Sequence, residues 1–222
     1  MSENKLDLIF KAYDIRGIFG ETLTPETAYK IGYAFADYVD SEKIIVGHDG
    51  RLSNKEMFNA VASGIKKNNK SILYIGTVPT DVVYSLSGMK NLPGIVITAS
   101  HNPKEWTGLK LCNKGAKPIG IDTGLLDIKE KVENLNIDID MHSKFDEENI
   151  VDAYIEHLNS IVKPVDIKNS NNFVIDAGNG ALGSVIEKLK DSYSLNFDGL
   201  YMDVDGNFPN HPADPSDPAN LK

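Results

Sequence analysis

A chain of 222 residues, 41% of them hydrophobic, is longer than one average domain and apolar enough to bury a core, so one full domain plus part of another is the expectation. The net charge of −9 argues against nonspecific binding to nucleic acid or to an anionic membrane surface, and no run of about 18 apolar residues offers a membrane span. The single cysteine, Cys112, rules out an internal disulfide and a cysteine-built metal cluster; with no long apolar stretch in Met1–Lys11, the cytoplasm is the expected location.

Thr24-Pro25-Glu26 reads as a helix start, with a hydroxyl at the N-cap and proline in the first turn, and Ala28, Ile31, Phe35 and Val39 continue it to about Asp40. Lys43–Gly47 is a short apolar run of the kind that forms a buried strand. Ser53 and Glu56 have capping-box spacing ahead of the apolar stripe Met57, Ala60, Val61, Gly64 and Ile65. Ser71–Gly76 reads as a strand, Thr80 as the N-cap of a helix through Leu86, Gly94–Thr98 and Leu109–Cys112 as strands, and Asp122–Val132 as a helix. This alternation predicts an α/β layered sheet, with ligands in the loops beyond the carboxyl ends of strands.

The pattern loosens into a polar, acid-rich stretch over Asn134–Asn149, which sets the expected boundary between a first domain, 1–148, and the start of a second α/β domain, 149–222. There, Ile150–Val162 reads as a helix, Phe173–Asp176 as a strand, Ala177-Gly178-Asn179-Gly180 as a turn and Ala181–Leu189 as a helix. The proline-rich tail Asp203–Lys222 is expected to be loop. The Gly178/Gly180 turn falls well short of a dinucleotide-binding fingerprint.

The segment Thr98-Ala99-Ser100-His101-Asn102-Pro103 places a hydroxyl, an imidazole and an amide just past a strand. Taken alone it is either an Asn-Pro turn with incidental polar residues or a loop presenting a nucleophile. It resembles the phosphoserine loop of the phosphohexomutase superfamily, and other segments match in order. Tyr13-Asp14-Ile15-Arg16-Gly17 resembles the N-terminal signature of the phosphomannomutase/phosphoglucomutase branch, and Val46-Gly47-His48-Asp49-Gly50-Arg51 the family's strand-end Asp-x-Arg segment. Gly108-Leu109-Lys110 falls where that family has an active-site lysine, and Val174–Gly180 and Gly206–Pro212 resemble further segments of it. The family's aspartate-rich metal loop, its sugar-recognition loop and its C-terminal phosphate-binding domain have no counterpart here, and Trp106-Thr107 stands where relatives commonly have Tyr-Asn.

The resemblance implies a phosphohexomutase domain I followed by an incomplete second α/β domain, and an enzyme that interconverts hexose 1-phosphate and hexose 6-phosphate through a phosphoserine and a bisphosphate. Ser100 would carry the phosphoryl group, and one of its phosphate oxygens would be a ligand to Mg²⁺. Lys110 would act either as general acid/base or as an electrostatic partner. Arg16 would bind phosphate, the competing reading being an ion pair with Asp14. His101 would either donate to phosphate or order the loop, and Tyr13 would sit in the substrate site. Asp49 and Arg51, with Asn102, would support the serine loop from behind. The expected partners are glucose or mannose phosphates and the 1,6-bisphosphate. Without the metal loop, the chain is expected to be an inactive N-terminal fragment, the competing reading being a noncatalytic sugar-phosphate-binding or interaction module of the same fold.

Overall fold

The computed structural model describes residues 5–141, 144–162, 173–193, 195–216 and 218–221. Residues 142–143 of the expected boundary stretch, Val162's successors up to 172, and Asp217 and Lys222 of the tail therefore lie outside the described residues.

The first unit is built on a mixed sheet in the order β1-β5-β4-β2-β3, with β1 at Ile15–Ile18, β2 at Lys43–His48, β3 at Ser71–Thr77, β4 at Gly94–Ile97 and β5 at Trp106–Asn113; the short β6, Lys117–Pro118, pairs with β5. Strands β2, β3 and β4 run parallel, whereas β5 is antiparallel to both β4 and β1. Alternate residues of each central strand feed opposite cores, as the pleat requires. Ile44, Val46, Ile95, Ile97, Leu109 and Leu111 face α2 (Pro25–Tyr38), α3 (Asn54–Lys67) and α5 (Leu125–Asn134). Ile45, Leu73, Ile75 and Val96 face α4 (Thr80–Lys90) on the other side, which gives three layers.

After the short α1 (Lys5–Ile9), helix α2 starts as its sequence predicts, Thr24 Oγ1 accepting the Thr27 N–H at 3.3 Å with proline in the first turn. Several boundaries differ from expectation: the strand read at Leu109–Cys112 begins at Trp106, the helix read at Ala181–Leu189 runs over Gly183–Tyr193, and three helix starts change. Ser53 does not form the capping box: its backbone is already helical and its buried hydroxyl makes no hydrogen bond, because Asn54 organises the helix start by donating its amide to Asp49. Thr80 is the first residue of α4, with extended Pro79 at the N-cap, and the helix runs past Leu86 to Lys90. The Asp122–Val132 helix is split by Gly124 at φ 118°, where a side chain would meet the Tyr38 hydroxyl, so a 3-10 turn at Ile121–Thr123 precedes α5.

The second unit is smaller. Helix α6 (Val151–Ile161) packs on α4, and its Tyr154 and Ile155 join Val185 of α7 (Gly183–Tyr193) in the core on the α4 side of the sheet. Tyr154 also donates its hydroxyl to Asp81, and burial, with that carboxylate adding to it, pushes the phenol up. Strands β7 (Phe173–Asp176) and β8 (Phe197–Leu200) pair in parallel as a sheet of two strands, one face of which leaves Val174 60% and Leu200 42% exposed. The tail from Asp203 is loop, with a 3-10 turn at Pro218–Leu221. No helix among the described residues is long and apolar enough to cross a membrane.

Candidate active site

Strand β4 ends at Ile97, and the chain turns sharply through Thr98–Pro103 before entering β5. Ser100 is exposed at the turn with φ 56°, a left-handed conformation that costs a non-glycine residue about 1–2 kcal/mol. Something must hold it there, and the holder is Arg51.

The Arg51 side chain is fully buried, and all five of its N–H donors are engaged. Nη2 donates to the Ser100 carbonyl at 2.8 Å and the Asn102 carbonyl at 2.7 Å, Nη1 to the carbonyls of Pro103 at 2.7 Å and Trp106 at 3.1 Å, and Nε to Asp49 Oδ2 at 3.2 Å. Burial pushes this guanidinium down from its ordinary range, and the Asp49 carboxylate beside it pulls it back up. Asp49 ties the loop from its other end: Oδ2 accepts the Thr98 hydroxyl at 2.7 Å, and Thr98 Oγ1 accepts the Ser100 N–H at 2.9 Å. The carboxylate also accepts the Arg51 N–H at 3.0 Å. His48 fixes the strand end behind it, with Nδ1 at 2.7 Å from the Asp49 carbonyl and Nε2 at 2.9 Å from the Tyr74 hydroxyl.

Arg16 and Lys110 form a second cluster on the neighbouring strands. Cross-strand pairs share a face, and Arg16 stands opposite Gly108 while Lys110 stands opposite Val96, so both project on the α4 side, as Thr98 does two residues beyond Val96. They meet at a residue absent from the sequence-predicted site. The buried Asp14 Oδ2 accepts Arg16 Nε at 2.8 Å, Arg16 Nη2 at 2.7 Å and Lys110 Nζ at 2.9 Å. Two cations on one carboxylate leave one positive charge in excess. Tyr84 of α4 sits near this cluster, its hydroxyl pushed up to about 12 mainly by burial, with smaller contributions from Cys112 and Asp14. Gly108 is required at this crossing, since a side chain there would come 2.5 Å from the Ile15 carbonyl and 2.7 Å from the Thr98 carbonyl.

A cavity of about 350 Å³ opens beside Ser100, between the strand ends of the first unit and the Ala177–Leu182 turn of the second. Asp49, Thr98, Asp176 and His211 contribute polar walls to it; Arg16 and Lys110 do not line it. A neighbouring cavity of about 650 Å³ lies between His101–Glu105 and Asn207–Asp214. His101 therefore faces the second unit, where two Ser216 hydrogen bonds hold the Asp214 carboxyl below its usual range. Tyr13 is 83% exposed, next to the Asp14 cluster.

Sequence reasoning placed the tail after Asp203 as loop, and loop it is, but Phe208, His211, Ala213 and Pro215 form a wall of the Ser100 cavity. His211 is fixed by Nε2 at 3.1 Å from Asp176 Oδ2 and Nδ1 at 2.8 Å from the Pro212 carbonyl, and that carbonyl and carboxylate raise its imidazole above the ordinary histidine range.

Residues 7–136 match the profile of the phosphoglucomutase/phosphomannomutase alpha/beta/alpha domain I. The chain belongs to that family. It is 36% identical over 213 residues to a phosphomannomutase of Vibrio cholerae, covering 90% of this chain and 46% of that protein. It is 39% identical over 219 residues to a phosphoglucomutase of Neisseria gonorrhoeae, covering 96% and 46% respectively. A solved phosphoglucomutase/phosphomannomutase family protein from Burkholderia thailandensis superposes with a TM-score of 0.83 at 32% identity, covering 96% of this chain and 48% of the other. The chain thus spans about half the length of the relatives it matches, and its α/β architecture is that of the family's first domain.

Proposed function

We propose that this chain is the serine-bearing half of a phosphohexomutase, in which Ser100 accepts and returns a phosphoryl group during interconversion of glucose or mannose 1- and 6-phosphates, with 1–148 as its first domain and 149–222 as the start of a second. The observation that carries this reading is the Ser100 turn itself: an exposed serine in a left-handed conformation, in a loop whose carbonyls accept four of the five donors of one buried arginine. Strain of this kind persists where the surroundings over-determine it, and it concentrates at functional sites.

In the proposed step the Ser100 hydroxyl oxygen bonds to the phosphorus of a hexose bisphosphate, the bond from phosphorus to the sugar oxygen breaks, and the serine proton ends on the sugar oxygen that departs as a hydroxyl. Protein groups accelerate such a transfer chiefly by alignment and by compensating charge on the phosphoryl oxygens. The excess positive charge at Arg16, Lys110 and Asp14 suits an anion, and with Lys110 Nζ donating to Asp14 the lysine fits the role of electrostatic partner better than that of base. His101 would meet ligand from the side of the 650 Å³ cavity, and Tyr13 from the exposed flank of the cation cluster. Mg²⁺, implied by the family resemblance, does not fit the residues present here. Asp49 is committed to Arg51, Thr98 and Asn54, and no group of three or more His, Cys, Asp or Glu side chains converges among the described residues.

The test is incubation of the 222-residue chain with glucose 1,6-bisphosphate followed by intact-mass measurement. Uptake of one phosphoryl group, lost in Ser100→Ala, is the expected result for this half-reaction, while the full interconversion is not expected of a chain without the metal loop. Binding of hexose phosphate with no uptake at Ser100 would refute the phosphoryl-carrier reading in favour of a noncatalytic sugar-phosphate module.

A further inference from the structure

Two segments of the second unit, the Ala177–Gly180 turn and Gly206-Asn207-Phe208-Pro209-Asn210-His211, wall the Ser100 cavity but have no step of the chemistry above assigned to them. They are tied to each other. The Asn179 carbonyl accepts the Asp205 N–H at 3.0 Å, Asn179 Nδ2 donates to the Asp203 carbonyl at 2.9 Å, and Asn210 Nδ2 donates to Asn179 Oδ1 at 2.8 Å. His211 adds its bond to Asp176 and packs edge-on against the Tyr201 ring, with 5.5 Å between ring centroids. The turn anchors the 203–211 segment as a strap.

The strap lies on the strand-end loop that carries Arg51. A side chain at Gly50 would meet Val204 Cγ1 at 2.3 Å, and one at Gly206 would meet the Gly50 carbonyl at 2.6 Å and the Leu52 N–H nitrogen at 2.7 Å, so the two backbones touch with no room for a methyl group. This contact brings the Phe208 ring to 5.4 Å from Arg51 Cζ, within the range of a cation–π interaction. A guanidinium whose five N–H groups are all bonded in its plane has only its faces left, and an aromatic ring is the partner that suits a face.

We propose that Phe208 is a positioning residue: from the second unit it covers the Arg51 guanidinium and thereby holds the Ser100 turn in its left-handed shape. The meaning for catalysis rests on the phosphohexomutase reading, but the mechanical claim does not. By this route the second unit sets the state of the serine loop in the first, through one ring and one cation, without touching Ser100.

The experiment is amide hydrogen exchange on the full chain, comparing the parent with Phe208→Leu and Phe208→Tyr. The amides to follow are Ser100, Asn102 and Trp106, which are bonded to Thr98 Oγ1, the Ala99 carbonyl and the Pro103 carbonyl respectively. Phe208 is only half-buried, so the variants should fold. Loss of the ring in Phe208→Leu should speed exchange at these amides about tenfold, in line with a partly desolvated cation–π contact, and leave β2 and α2 at parental rates. Phe208→Tyr, which keeps a ring face, should restore the loop. Unchanged loop exchange in Phe208→Leu, equal acceleration in β2 and α2, or failure of tyrosine to restore the loop would each overturn the proposal. Exchange is read without ligand, so a parent chain that takes up no phosphoryl group counts against the phosphohexomutase reading alone, and an unaltered loop counts against Phe208 alone.

Discussion

Arg51→Met should be among the most damaging single substitutions outside the apolar core. Methionine keeps much of the side-chain volume but removes all five donors, which leaves four loop carbonyls and one face of the Asp49 carboxylate without their partner. Removing one member of a buried ion pair costs about 3–5 kcal/mol, whereas each hydrogen bond to a charged group is worth about 1.5–3 kcal/mol. The five bonds do not add, for two reasons. The loop from Ser100 to Glu105 is largely exposed, so its freed carbonyls can turn to water, and Asp49 keeps its bonds from Thr98, Asn54 and the Arg51 backbone. The expected loss is therefore the ion-pair figure, about 3–5 kcal/mol, and not the sum of five bonds. Arg51→Lys retains the charge but only three donors and no planar fork, so about half of that loss is expected. Urea unfolding with a common m-value measures both, and a double cycle with Asp49→Asn isolates the pair. A loss below about 1 kcal/mol for Arg51→Met would mean that the loop holds its own shape and that the arginine cage is incidental.

Ser100→Gly should stabilise the chain by about 0.5–1 kcal/mol, because glycine accepts φ 56° without strain and gives back part of that gain as backbone entropy, while phosphoryl uptake disappears; destabilisation measured by urea unfolding would contradict the strain argument. Gly64→Ala should cost about 1–3 kcal/mol, since the added methyl carbon would fall 2.0 Å from the Tyr29 carbonyl at the α2–α3 crossing, and an unchanged midpoint would show that the helices part freely. The His211 imidazole, raised by the Pro212 carbonyl and Asp176, should contribute its stabilisation in full below the ordinary histidine range and lose it as pH rises through its higher folded-state value; His211→Gln should abolish that dependence, and proton NMR of the ring checks the direction of the shift.

The layered α/β sheet was legible because its signals are local. The Thr24 cap, the apolar runs at Lys43–Gly47 and Ser71–Gly76 and the stripe from Met57 to Ile65 each specify an element without help from the rest of the chain. Strand β1 was visible only as a motif, since Ile-Arg-Gly-Ile has too little apolar content to read as a strand and pairs on one side only, at the sheet edge. Strand β8, Phe-Asp-Gly-Leu, was invisible for the same reason. Ser53 misled because its spacing to Glu56 satisfies a pattern that the Asp49–Asn54 bonds override. At the site, Ser100, Arg16 and Lys110 stand out in the sequence by type and order, and the ion pair of Arg16 with Asp14 was the competing reading there; that Lys110 shares the same carboxylate shows only in the structure. The pairing of Arg51 with Asp49 was legible in the sequence, but its other four partners were not, because they are backbone carbonyls, which every residue carries.

The distribution of these bonds bears on the choice between a carrier of phosphoryl groups and a module that only binds sugar phosphate. A binding module needs donors aimed at its ligand. Here the most densely bonded cation, Arg51, aims nothing at a ligand: its charge is sealed behind the turn, and its donors are spent on shaping the path from Ser100 to Trp106. The cations that remain accessible, Arg16 and Lys110, are already turned toward Asp14, so an arriving phosphate must compete with a buried carboxylate for them. That is a poor design for tight resting-state binding of an anion. It fits the proposed covalent attachment at Ser100, because attachment raises the local concentration of phosphate far beyond what free ligand reaches. The sealed arginine, the strained serine and the pre-engaged cation pair fit the proposed carrier better than a binding module, and a measured affinity for free inorganic phosphate in the micromolar range or tighter would count against that proposal.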